Sequence, residues 1–192
     1  MRQGEKMGAR HPDKREQRIN RQTDYERVRS ALRAGAYHGC YVFDALMTDE
    51  AGLLDYLVVG THGITAIVVR DEHGDVQPDR QTGELTIIRS PFEDDPRRQV
   101  ADLLEDVERK LSRTDVPTFR LICFTHAEVK LVGDPEADKG LCQTWGLPRL
   151  FEEDHEAFLD SAEVDELARA IESIYARPPF VRPGEPYGGQ TI

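Results

Sequence analysis

Residues 53–70, LLDYLVVGTHGITAIVVR, contain two apolar runs separated by a short turn with a glycine at each end. Runs rich in Val, Ile and Leu and bounded by glycine are typical of β-strands, and the Gly-x-x-Gly spacing predicts a tight hairpin between strands 53–59 and 63–70. One carboxylate, Asp55, lies near the start of the first run among apolar neighbours. A charged side chain is rarely placed there without a partner or a function, so Asp55 is the first candidate site residue.

The elements around this hairpin predict an α/β protein. Before it, the patterns favour a helix over 13–34 and a strand over 40–47. After it, they favour strands at 75–78, 84–89, 118–125, 128–132 and 145–150, a polar loop at 133–142, and helices at 96–112, 151–159 and 162–176. The strands at 75–78 and 84–89 are expected to continue an antiparallel meander, and the last helix is expected to be capped by Ser161 and to bury Ile174. The strand at 118–125 is continuously apolar and follows a long helix, which is typical of a strand buried on both faces. We therefore expect a three-layer α/β/α core with a mixed, largely antiparallel central sheet.

The length of 192 residues fits one domain, predicted over 13–176, between a disordered segment 1–12 and an extended Pro/Gly-rich tail 177–192. No apolar run approaches the length that spans a bilayer, and the polar N-terminal stretch does not resemble a secretory signal. The three cysteines, Cys40, Cys123 and Cys142, form no Cys-x-x-Cys pair, so buried free thiols and a cytoplasmic location are expected.

The charge distribution is uneven along the chain. The formal net charge is −11, and a field of that sign opposes general adhesion to nucleic acid. The predicted first helix is nevertheless rich in arginine and lysine, especially in its first half. We expect this basic helix either to contact nucleic acid or an acidic protein partner, or simply to present a solvated charged face.

Several short motifs follow one another in a recognisable order. Glu26 lies on the first helix, Asp55 in the strand LDYLVVG, and Gly63-Ile64 in the turn that follows. The run Asp95-Pro96-Arg97-Arg98-Gln99 then opens the helix at 96–112. Over roughly residues 22 to 175, this order resembles the nuclease-related domain (NERD) family, which has the restriction-endonuclease-like PD-(D/E)XK fold.

The resemblance implies a set of site positions. It places Glu26, Asp55 and Gln99 at family site positions, and it aligns the family's Glu-x-Lys motif with Val68-Val69-Arg70. The family's reaction, phosphodiester cleavage, needs Mg²⁺ held by carboxylates and a lysine that orients or deprotonates water. Val68 offers no oxygen, and Arg70 keeps a positive charge but stays protonated. The residues thus favour a degenerate domain that binds nucleic acid or a protein and does not cleave, although enzyme activity stays an open question.

Two alternatives remain at this point. In the first, the protein is an active Mg²⁺-dependent nuclease in which a migrated acid, Asp71 or Glu72, joins Asp55 as a metal ligand; Asp44 on the preceding strand is a further acid that could point inward. In the second, the chain is a subunit of a larger assembly, and its two ends order on binding. The first alternative requires the carboxylate oxygens to converge on one point, because Mg–O distances are about 2 Å.

Overall fold

The computed structural model describes residues 14–35, 39–49, 51–79, 81–82, 84–87, 92, 95–134, 138–148 and 157–184. Its helices are α1 (Lys14–Gly35), α2 (Pro96–Leu111) and α3 (Ser161–Tyr175). Its strands are β1 (Tyr41–Met47), β2 (Leu53–Gly60), β3 (Gly63–Arg70), β4 (Asp75–Pro78), β5 (Leu85–Ile87), β6 (Thr118–Phe124), β7 (Glu128–Val129) and β8 (Leu141–Gln143). A 3₁₀ turn covers Thr144–Gly146.

The main sheet is mixed and has the strand order β1-β2-β3-β6-β8. The first three strands form antiparallel pairs, whereas β6 is parallel to both β3 and β8. One apolar cluster packs the sheet against α2 and α3, and a second packs it against α1. The predicted α/β class, with helices on both faces of a mixed sheet, is confirmed.

The hairpin between β2 and β3 forms as predicted, with Gly60 opposite Gly63. Gly63 has φ +120°, and a Cβ there would lie 2.1 Å from the carbonyl oxygen of Pro117. That same oxygen accepts a hydrogen bond from the amide of Ile64 at 2.9 Å. Glycine is required because the turn needs a positive φ at a point where the chain before β6 approaches the backbone closely.

The caps of α2 and α3 explain where these helices begin. Asp95 accepts a hydrogen bond from the amide of Arg97, and Pro96 occupies the first turn, as the sequence predicts. The last helix was expected to be capped by Ser161, and that assignment is wrong. Asp160 is the cap, and it forms a capping box with Glu163.

Other sequence predictions are also corrected. The loop predicted at 133–142 ends in β8, and the strand predicted at 145–150 is instead the 3₁₀ turn followed by a turn at 147–148. β4 was expected to continue an antiparallel meander from β3, but it lies in a separate sheet of order β5-β4-β7, where it is parallel to β7. Ile174, expected in the core, is 38% exposed.

The start of the predicted tail, residues 177–184, packs on the edge of the main sheet. Val42 of β1 donates to the carbonyl of Val181 at 3.1 Å and accepts from the amide of Phe180 at 2.8 Å. The edge strand β1 is therefore partly covered by the chain's own C-terminal segment, which reduces its availability for pairing with other chains. The predictions for 1–12, 185–192 and most of the helix at 151–159 concern residues outside those described.

Candidate active site

Asp55 lies where β2 and β3 separate. The pairing of these strands ends at Tyr56 opposite Ile67. Beyond that pair, the amide of Val69 donates to Asp55 Oδ2 at 2.7 Å, and the hydroxyl of Tyr25 donates to Oδ1 in a short hydrogen bond. Asp55 is buried, with only 7% of its surface exposed. Its carboxylate thus joins α1 to both strands, and each oxygen already accepts a hydrogen bond from the protein.

Tyr25 is the residue through which α1 reaches this carboxylate. Its backbone carbonyl accepts a hydrogen bond from the hydroxyl of Tyr56 at 2.9 Å, and the two rings lie 6.3 Å apart. Burial and the nearby Asp55 charge raise the pKa of the Tyr56 hydroxyl well above its ordinary value, so this hydroxyl remains a donor at neutral pH. Two tyrosines therefore fix the helix over the start of β2.

Val68, which the predicted resemblance aligns with the glutamate of the NERD motif, belongs to the hydrophobic core. It is 2% exposed and lies in the apolar cluster with Val100 and Leu103 of α2. An ionised carboxylate introduced among these side chains would lose its hydration without gaining a charged partner from the cluster. The position is therefore built for packing, and it offers no ligand atom to a cation near Asp55.

Arg70 is held by a set of contacts at the end of β3. Its guanidinium bonds twice to Glu72 Oε1, at 2.9 Å through Nε and in a shorter contact through Nη2, and it donates to Gln99 Oε1 at 3.1 Å. Its guanidinium carbon also lies 5.5 Å from the centre of the Phe92 ring. The predicted site residues Arg70 and Gln99 are thus brought together, and the ion pair with Glu72 offsets the charge that Arg70 could offer to a phosphate.

The remaining predicted acids occupy different surroundings. The side chains of Glu26 and Asp71 are exposed. Glu72 is half-buried, and its Oε2 has no hydrogen-bond partner within the described part of the chain. Asp44 pairs with Arg29 and Arg177, at N–O distances of 3.4 and 2.8 Å.

These positions do not fit the Mg²⁺ site that the family resemblance implies. Such a site draws several oxygen ligands, including carboxylates, to one point. Among the residues described, no three His, Cys, Asp or Glu side chains are arranged so that they could hold a metal ion. Both oxygens of Asp55 accept protein hydrogen bonds, and the one free oxygen of Glu72 belongs to a side chain bound to Arg70.

A second polar cluster connects α1 to the turn after β6. Asp24, only 2% exposed, hydrogen-bonds His126 Nε2 at 2.7 Å. His73 stacks on His126 with a centroid distance of 4.5 Å, and Arg27 lies 3.6 Å from Asp24. Consecutive residues of α1, Asp24 and Tyr25, therefore fix the helix to two points of the sheet.

Sequence reasoning missed most of these partners. In the sequence, Tyr25 is one of the apolar residues that repeat at helical spacing along α1, and this spacing does not indicate that its hydroxyl bonds to Asp55. His126 carried no signal, because nothing in the sequence connects it with Asp24 across 102 positions. A buried acid on the inner face of a helix is the one feature that could have indicated such a bond.

The fold and this site together define an α/β protein with a mixed sheet and a buried carboxylate at the point where two strands separate. Comparison with models of known families gave no match, and neither did comparisons with curated proteins and with solved structures. Within the described ranges, no helix has both the length and the apolar character needed to cross a membrane.

Proposed function

We propose that this protein is a NERD-like domain that does not cleave nucleic acid and that acts as a nucleic-acid binding module. The single observation that supports the loss of cleavage most strongly is the state of Asp55. Its two oxygens accept hydrogen bonds from Tyr25 and Val69, while the expected partner position holds the buried Val68. On this proposal, Asp55 connects α1 to the sheet and no longer holds a metal ion.

Binding is supported by an arginine surface, defined here as Arg29, Arg33, Arg177 and Phe180. The guanidinium carbons of Arg29 and Arg33 lie 4.6 and 5.7 Å from the centre of the Phe180 ring. Arg177 and Arg29 share Asp44 as a carboxylate partner, so two arginines pair with one acid. Arg29 and Arg177 are 43% and 47% exposed in their side chains, which leaves donors available to a ligand.

The chemistry of this surface favours a phosphate-bearing polymer. Guanidinium groups bind phosphate oxygens through paired hydrogen bonds, and they stay charged at any physiological pH. The local positive charge stands out because the whole chain has a net charge of −11. A polyanion is thus expected to bind in one place and to be repelled elsewhere.

The test is fluorescence anisotropy with labelled single-stranded RNA, single-stranded DNA and duplex DNA at several salt concentrations. The double variant Arg29→Gln, Arg33→Gln removes two candidate phosphate contacts. For the duplex, we expect the slope of log K against log salt to fall in magnitude by about 2, since each contact contributes about 0.9. Gels run on the same samples report whether the oligonucleotides remain intact.

Arg98→Gln is the matched control. Arg98 is 84% exposed in its side chain and lies on α2, which packs on the other face of the sheet from α1. Its loss removes one positive charge, compared with two in the double variant, from a surface that is not proposed to bind nucleic acid, and it should leave the salt slope close to wild type. Binding that is absent at low salt, or that falls equally in the double variant and the control, would contradict nucleic-acid binding at the arginine surface. In that case, an acidic protein partner or a larger assembly becomes the better account.

A further inference from the structure

Two cysteines lie side by side in the main sheet. Cys123 of β6 and Cys142 of β8 are direct partners in a parallel strand pair. Partners in such a register project from the same face of the sheet, and both side chains pack in the apolar cluster beneath α1. Cys123 is fully buried, whereas Cys142 is partly exposed at the edge.

The side chains of the two cysteines interact with each other. The side-chain hydrogen bond with Cys123, together with burial, raises the pKa of the Cys142 thiol well above its ordinary value. Cys123 Sγ also lies 3.9 Å from Thr144 Oγ1 in the following 3₁₀ turn. At neutral pH, Cys142 is therefore held as a thiol beside Cys123 on the same face of the sheet.

The backbone geometry is compatible with a bond between them. Neighbouring strands are about 4.8 Å apart, which lies within the range of about 4.4 to 6.8 Å that separates the Cα atoms of disulfides. β8 has three residues and lies at the edge of the sheet, where the small movement that draws two Cβ atoms together disturbs few contacts. Cys40, the third cysteine, belongs to the chain just before β1, at the opposite edge.

We propose that Cys123 and Cys142 are a redox modification site and form a reversible cross-strand disulfide. The oxidant is a low-molecular-weight disulfide. The partly exposed Cys142, as its thiolate, attacks one sulfur of the oxidant, forms a mixed disulfide and releases one small thiol. Cys123 then loses its proton and displaces the second small thiol, so that one protein disulfide and two small thiols replace two protein thiols and one small disulfide.

The bond would fix the edge of the sheet beside Trp145, the single tryptophan of the chain. Trp145 lies in the 3₁₀ turn directly after β8, and it is 67% exposed. Its indole is therefore an internal reporter on the segment that the disulfide would constrain. The Cys123–Cys142 pair lies in a different part of the molecule from the arginine surface, so the disulfide is expected whether or not nucleic acid binds.

The test oxidises the reduced, full-length, natively folded chain with excess oxidised glutathione at mildly alkaline pH, then alkylates the remaining thiols in denaturant. We expect the number of alkylated thiols to fall from three to one. Before alkylation, the intact mass should be two hydrogen atoms below that of the reduced chain. A peptide map should join the peptides of Cys123 and Cys142, and dithiothreitol should restore all three thiols. Trp145 emission should change on oxidation and return on reduction.

Matched variants locate the bond. Cys40→Ser should still lose two thiols, whereas Cys142→Ser should lose none to an internal disulfide. The map of the wild-type chain decides the question even if Cys142→Ser fails to fold. Any one of four results would overturn the proposal. These are three free thiols after oxidation, a link that includes Cys40, a stable glutathione adduct without an internal bond, and a disulfide between two chains.

Discussion

Replacement of Tyr25 by phenylalanine removes only the hydroxyl that bonds to Asp55 and keeps the ring that packs on Tyr56. Asp55 is 7% exposed, so water cannot readily replace the lost donor. Hydrogen bonds to charged groups contribute about 1.5 to 3 kcal/mol, and we expect Tyr25→Phe to lower the free energy of unfolding by about 2 kcal/mol. For a chain of this length, that corresponds to a fall in melting temperature of roughly 4 to 8 °C.

Tyr41→Phe is the control for this change. Tyr41 donates to Asp165 at 2.7 Å, but that bond is exposed, and water can replace it at a cost of about 1 kcal/mol or less. Urea unfolding followed by circular dichroism measures both variants, and a double-mutant cycle with Asp55→Ala isolates the coupling between Tyr25 and Asp55. If Tyr25→Phe is no more destabilising than Tyr41→Phe, the buried hydrogen bond to Asp55 does not stabilise the fold more than an exposed one.

Two further predictions concern the hairpin and a buried thiol. In thermal unfolding, Gly63→Ala should destabilise the protein by clearly more than Gly133→Ala. Both positions have a positive φ, but only at Gly63 would the new Cβ clash with Pro117. Equal losses of stability in the two variants would show that the clash is relieved. Burial raises the pKa of the Cys40 thiol from about 9 to about 11, so the unfolded state loses this proton first and the free energy of unfolding should fall as the pH rises between these values. Urea unfolding across this pH range should show a smaller fall in Cys40→Ala, and an unchanged pH dependence would contradict the assignment.

The sheet was predictable where the pattern was local. The hairpin of β2 and β3 has long apolar runs and a glycine at each end of its turn, so the chain specifies both strands and their register without distant contacts. The position of β6 was also predictable, because its second half is continuously apolar and buried. The expectation of burial along the whole strand was wrong, since Phe119 and Arg120 in its first half are exposed. β8 was missed since its three residues are only partly buried and become a strand by pairing with β6, which no local pattern encodes.

The candidate site was predictable only in part. The isolated charge among apolar residues indicated Asp55, and the residues at 68–70 indicated the missing carboxylate. The partner of Asp55 came from Tyr25, 30 positions away, and the partners of Arg70 came from Glu72 and from a helix 29 positions away. Such bonds depend on how α1 and α2 dock on the sheet, and a single sequence does not encode that geometry in any short motif.

We propose that Asp55 holds α1 to the sheet and does not support hydrolysis. The most direct test is a single-turnover assay with excess protein, labelled DNA and RNA, and saturating Mg²⁺ or Mn²⁺, comparing wild type with Asp55→Ala under conditions where circular dichroism shows both to be folded. We expect intact substrates in both reactions, together with lower stability of Asp55→Ala. Metal-dependent cleavage by the wild type that disappears in folded Asp55→Ala would contradict this proposal.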